Sequence, residues 1–141
     1  MRLAKPKQSS AIDLERELVD RCRREVCPLF GDPSFEVVGQ RNAKGSGSTR
    51  GFVDVVVGYC GWWLPMEFKN PDGTGVMSGD QQAMAKWRWE NGVDTVVIES
   101  VQQFADVLGY CRRHPVEQGV LPHSLIPRGD GSPYNDGRIE P

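Results

Sequence analysis

Residues 51–69, reading GFVDVVVGYCGWWLPMEFK, constrain this chain more than any other stretch. An apolar, β-branched run ends at Gly58 and a second apolar run begins at Gly61. Tyr59-Cys60, or a slightly longer connection, lies between them, and the pattern predicts a β-hairpin. With Gly58 opposing Gly61, Asp54 falls opposite Pro65, and Glu67 lies one diagonal step away on the face of Asp54. Alternation along the strand puts Lys69 on that face too. The hairpin therefore aims two carboxylates and one ammonium at a common point. Burying such groups among apolar residues is costly unless they are paired or coordinated. Two arrangements meet that demand. One is a buried ion pair of Lys69 with either acid. The other is a divalent-cation site, because Mg²⁺ takes carboxylate oxygens, keeps several waters and commonly meets phosphate.

The rest of the composition narrows the choice by exclusion. At 141 residues the chain has room for one core and not for two. A formal charge of −2 gives no global basic field, so any nucleic-acid contact must come from a local basic patch. No apolar run approaches the roughly 20 residues of a membrane span, and no signal peptide is evident, so a soluble cytoplasmic protein is expected. Cys22, Cys27, Cys60 and Cys111 lack CxxC spacing and are expected to be buried small hydrophobes, neither disulfides nor zinc ligands. His114 and His123 lie far from any Ser, Cys or Asp motif, which gives triad chemistry no support. No P-loop or dinucleotide fingerprint is present, so no nucleotide cofactor is expected.

Taken in order, residues 1–9 carry Arg2, Lys5 and Lys7 without an acid and read as a flexible basic arm. Ser10 fits an N-cap for a helix running to about residue 26 and stopped before Pro28. Its apolar stripe contains Glu15, either a rim glutamate or a functional acid. Residues 35–40 read as a short strand. The Gly/Ser-rich stretch 41–50, with Arg41, Lys44 and Arg50, reads as a solvated connector or as a phosphate-contacting flap. Pro65 suggests an edge or a bulge. Trp62 and Trp63 point to opposite faces, one to the core and one partly to solvent. Ser78-x-x-Gln81 is a capping box for a helix ending at Asn91-Gly92. A buried strand over 93–98 and a helix over 101–113, capped by Ser100, complete the order α-β-β-β-α-β-α. Residues 115–141 hold five prolines and four glycines and read as a tail without a core of its own, which wraps the domain, completes a dimer or stays mobile.

Asp54 followed by the triplet Glu67-Phe68-Lys69 resembles the PD-(D/E)XK nuclease superfamily, with Val53 standing where proline usually precedes the aspartate. Leu14-Glu15-Arg16-Glu17-Leu18-Val19 and Ser78-x-x-Gln81 are similar to the flanking motifs of its VRR-NUC branch. The resemblance spans roughly residues 10–110 and places a nuclease domain over 10–114. It implies an α/β, restriction-endonuclease-like core in which a small mixed sheet is flanked by helices. It also implies an Mg²⁺- or Mn²⁺-dependent deoxyribonuclease acting on branched, flapped or junction DNA, of the stand-alone phage or bacterial kind, with a homodimer possible. Asp54, Glu67 and the Phe68 carbonyl would bind metal, and Glu15 a second metal or the first through water. Lys69 would orient or deprotonate the attacking water, and Gln81 would position Lys69 or a phosphate oxygen. The rivals are a sequence-specific restriction-like endonuclease, for which no base-reading insertion is evident, and a non-catalytic DNA-binding or assembly module built on a closed ion pair.

Overall fold

The computed structural model describes residues 11–38, 53–69, 79–115 and 121. The basic arm, Ser10, Arg41, Lys44, Arg50, Ser78 and most of the Pro/Gly-rich tail lie outside the described residues. Among the described residues nine elements follow one another, in the expected order of the main helices and strands. Helix α1 (Ala11–Arg21) passes into a π-helical turn (Cys22–Val26) and a 3₁₀ turn (Cys27–Phe30). Then come β1 (Ser34–Val37), β2 (Val55–Tyr59), β3 (Trp62–Phe68), α2 (Gly79–Glu90), β4 (Val96–Ile98) and α3 (Val101–Arg113). The strands form one mixed sheet in the order β1-β2-β3-β4, antiparallel except for the parallel β3–β4 pair. Among the described residues no helix is long and apolar enough to cross a membrane.

The hairpin forms where expected, but its turn is one residue later. Tyr59 pairs with Trp62 across a two-residue Cys60-Gly61 turn. Both turn residues have positive φ, 52° and 89°, the backbone of a type I′ turn that matches the strands' twist. The register therefore moves by two relative to the Gly58–Gly61 expectation, and Pro65 pairs with Val56. Pro65 does not mark an edge, because β3 is an inner strand. Counted from the turn, hydrogen-bonded pairs alternate, and the Pro65–Val56 pair is one that exchanges no bonds, so the missing N–H breaks nothing on that side.

Alternation divides the sheet into two unequal faces. Val55, Val57, Leu64, Met66, Phe68, Val96 and Ile98 enter the main core, against Leu18, Val19, Cys22 and Val26 from the N-terminal helix and Phe104, Val107, Leu108 and Cys111 from α3. Phe35, Phe68 and Phe104 meet at tilted or edge geometries, with centroids 5.9–6.4 Å apart. Burial pushes the Cys22 and Cys111 thiols up to about 12 and Cys27 to about 11, so these behave as the expected hydrophobes. The N-terminal helical run passes Pro28 because the proline enters the first turn of the 3₁₀ segment, where its N–H is not needed.

The opposite face carries α2, whose single fully buried side chain, Ala85, packs on Val97. A buried Leu or Phe contributes about 1.5–3 kcal/mol. By that measure α3, with four buried apolar side chains, is firmly seated, whereas α2 depends on polar contacts. Trp62 faces the core and Trp63 is 57% exposed on the α2 face, the division that alternation predicts.

The chain after α3 also returns to the core. Leu121 is buried in the main cluster, and its backbone N–H donates to Asp94 Oδ2 at 3.3 Å. The packed unit thus includes a residue beyond position 114.

Candidate functional site

The β2–β3 ladder ends at the Val55–Met66 pair, and Asp54, in a bend just before β2, bonds to that same Met66 as a bulge residue does. Asp54 is clamped by its own backbone. Its N–H donates to Met66 O at 3.1 Å, and its carbonyl accepts from Val38 N at 2.8 Å. Its carboxylate then accepts from the Phe68 N–H at 2.9 Å. Glu67 is 1% exposed at the carboxyl end of β3, and Lys69 follows it, tied to β4 by its N–H to Ile98 O at 2.9 Å. The acids and the lysine thus sit where two parallel strands end.

Gln81, on the first turn of α2, completes the group. Lys69 Nζ donates to Gln81 Oε1 at 2.9 Å, and Gln81 Nε2 donates to Glu67 Oε2 at 2.5 Å. A carboxamide suits this place because its oxygen meets a cation while its N–H₂ meets a carboxyl oxygen. No direct ion pair joins Lys69 to Asp54 or Glu67 among the described residues. The second Glu67 oxygen, Oε1, is buried with no hydrogen-bond partner among those residues.

Electrostatics follow from that packing. Burial, then the nearby Asp54 charge, pushes the Glu67 carboxyl up to about 9 against the pull of Lys69 and Arg88; Glu15 adds a smaller upward push. Asp54 is raised as well, chiefly by burial, with the Phe68 N–H and Lys69 opposing. Glu15 is half-buried on α1, within electrostatic reach of Glu67. Asp54, Glu67, Lys69 and Gln81 are therefore in one cluster, with Glu15 at its margin.

In comparisons with family models, characterised proteins and solved structures, nothing matched this chain.

Arg88 was not foreseen from the sequence. Its guanidinium donates to Thr95 Oγ1 at 3.0 Å and favours the charged form of Glu67. A signal existed: Gln81, Ala85 and Arg88 follow i, i+4, i+7 spacing, which puts them on one face of α2.

A divalent cation fits this donor set. Among the described residues no three Asp, Glu, His or Cys side chains form a ready-made cage. Mg²⁺ does not need one, since it is usually held by one or two carboxylates and keeps its waters. Glu67 is buried, with one oxygen unpartnered among the described residues, and the half-buried Asp54 lies within electrostatic reach of it, so a cation between the two would supply the positive charge they lack.

Proposed function

We propose that this protein is a metal-dependent DNA endonuclease of the VRR-NUC type, hydrolysing phosphodiester bonds with a preference for branched, flapped or junction DNA. The reading rests above all on the Gln81 carboxamide standing between Lys69 and Glu67. A non-catalytic module would be served by a closed pair, with the ammonium directly on an acid. Here the ammonium is held on a neutral amide and the Asp54 charge lies within reach of Glu67, an arrangement suited to receive a cation and an anionic substrate.

In this reading Asp54 and Glu67, with the Phe68 carbonyl, hold Mg²⁺ or Mn²⁺, and Glu15 contributes from α1. The bound cation supplies Lewis acidity and a water of lowered pKa. The β2–β3 clamp on Asp54 fixes the distance between the acids before substrate arrives. Burial of Glu67, with Asp54 half-buried beside it, limits the bulk water that would weaken their field. Lys69 donates to the attacking water or a phosphate oxygen, and Gln81 fixes the direction of that donation.

The test is cleavage of labelled single-stranded, duplex, flapped and four-way-junction DNA in Mg²⁺ and in Mn²⁺, with Glu67→Ala and Lys69→Ala beside the parent. Metal-dependent cutting lost in both variants is expected. No cutting of any substrate in either metal would overturn the nuclease reading in favour of a binding module.

A further inference from the structure

The α2 face of the sheet carries more than the acids. Next to them lies an open apolar groove of ≈ 300 Å³, whose lining includes Val56, Trp63, Pro65, Trp87, Arg88 and Asn91. Trp63 and Trp87, from β3 and α2, both contribute to its walls and are 57% and 60% exposed. A tryptophan that packs fully removes some 150–250 Å² from water. Two left largely open on one groove therefore form a surface whose stabilisation is unused within the described residues.

The groove lies on the same face of the sheet as the candidate centre. Trp63, Pro65 and Glu67 occupy successive same-face positions of β3, so at about 3.3 Å per residue Trp63 stands roughly 13 Å from Glu67 along the strand. Arg88 belongs to both regions, lining the groove while its charge reaches Glu67. It is the one charged side chain of the lining, and no carboxylate is among the lining residues. Flat aromatic walls, a single cationic group and no acid suit an uncharged aromatic ring attached to a phosphate.

We propose that this groove is a stacking subsite for an unpaired base of single-stranded DNA, next to the hydrolytic centre. The proposal builds on the nuclease reading and specifies its substrate: the strand approaches along β3 with a base on Trp63 and Trp87 and its backbone passing Arg88 towards Lys69. A base inside a duplex cannot enter, because its faces are already stacked. The subsite therefore favours flaps and frayed ends.

Binding is read without metal, so that it is independent of cutting. Anisotropy titrations in EDTA with a labelled oligothymidine and with a duplex compare the parent with Trp63→Ala, Trp87→Ala, Trp63→Phe and Trp87→Phe. Each alanine variant is expected to weaken single-strand binding by about 5- to 150-fold, the range found when a stacking aromatic is removed. The phenylalanine variants should keep most of the affinity, and duplex binding should not change. Single-strand binding indifferent to both alanine variants would overturn the proposal. Equal losses on single strand and duplex would do so too, as would loss of a dimer in sedimentation with single-strand binding intact. Tryptophan-dependent binding by a protein that cuts nothing would keep the subsite and remove the nuclease reading; cutting with tryptophan-independent binding would do the reverse.

Discussion

Lys69 and Glu67 are joined through the Gln81 carboxamide and not to each other. Both lie on the α2 face at the end of β3, close enough that the Lys69 charge lowers the Glu67 pKa against its burial. The amide keeps the cation from closing onto the acid, and it also ties α2, poor in buried apolar side chains, to the sheet.

Gln81→Leu should destabilise the fold by about 1–3 kcal/mol, since it leaves two buried polar groups without their partner. In a double-mutant cycle with Lys69→Met, denaturant unfolding should give a coupling of about 0.5–3 kcal/mol. Additive losses would contradict the bridging role.

The pH dependence of the metal-free protein has a definite sign. With the Glu67 carboxyl raised from 4.5 to about 9, the folded state holds a proton that the unfolded chain releases. Its stabilising contribution is full below about 4.5 and is lost as pH rises through about 9, and Asp54, also raised, acts in the same direction. Melting temperatures in EDTA should therefore fall from pH 6 to pH 9. Glu67→Gln, which is neutral throughout, should flatten the slope.

Cys60 adopts φ of 52° at the first turn position, where L-residues other than asparagine and aspartate are strained. Cys60→Asn creates the Asn-Gly pair that type I′ turns prefer and should stabilise by up to about 1 kcal/mol. A lower denaturation midpoint for this variant would argue against the turn.

Leu121 is buried in the main core. Leu121→Ala should cost about 2–5 kcal/mol in urea unfolding, as for other core leucines. An unchanged midpoint would mean that the domain ends by residue 114.

Much of this was legible in the sequence, for identifiable reasons. The α3 boundaries follow from Ser100, whose Oγ accepts from Gln103 N at 3.0 Å, and from strong 3.6-residue periodicity. The shared face of Glu67 and Lys69 survived a register error because a shift of two residues preserves faces, whereas a shift of one would have reversed them. The error itself came from Cys60, a residue that gives no local sign of positive φ. Gly58 has a contact only the fold reveals: a Cβ there would meet Ser34 Oγ at 2.7 Å, so a larger residue would displace that hydroxyl from its bonds to the Gly58 backbone. Leu121 was missed because its hydrophobicity stands alone in a Pro/Gly-rich stretch, without periodicity to mark burial.

The central claim is that Asp54 and Glu67 form a cation site. It is tested most directly by the melting temperature in EDTA, Mg²⁺ and Mn²⁺ at pH 7.5, for the parent and for Glu67→Gln. Binding to the folded state alone raises stability by RT ln(1 + [L]/Kd), about 2.7 kcal/mol at a hundredfold excess over Kd. The account predicts a clear upward shift in the parent with either metal, and little or none in Glu67→Gln. A parent melting temperature indifferent to both metals, or an equal shift in the variant, would contradict it.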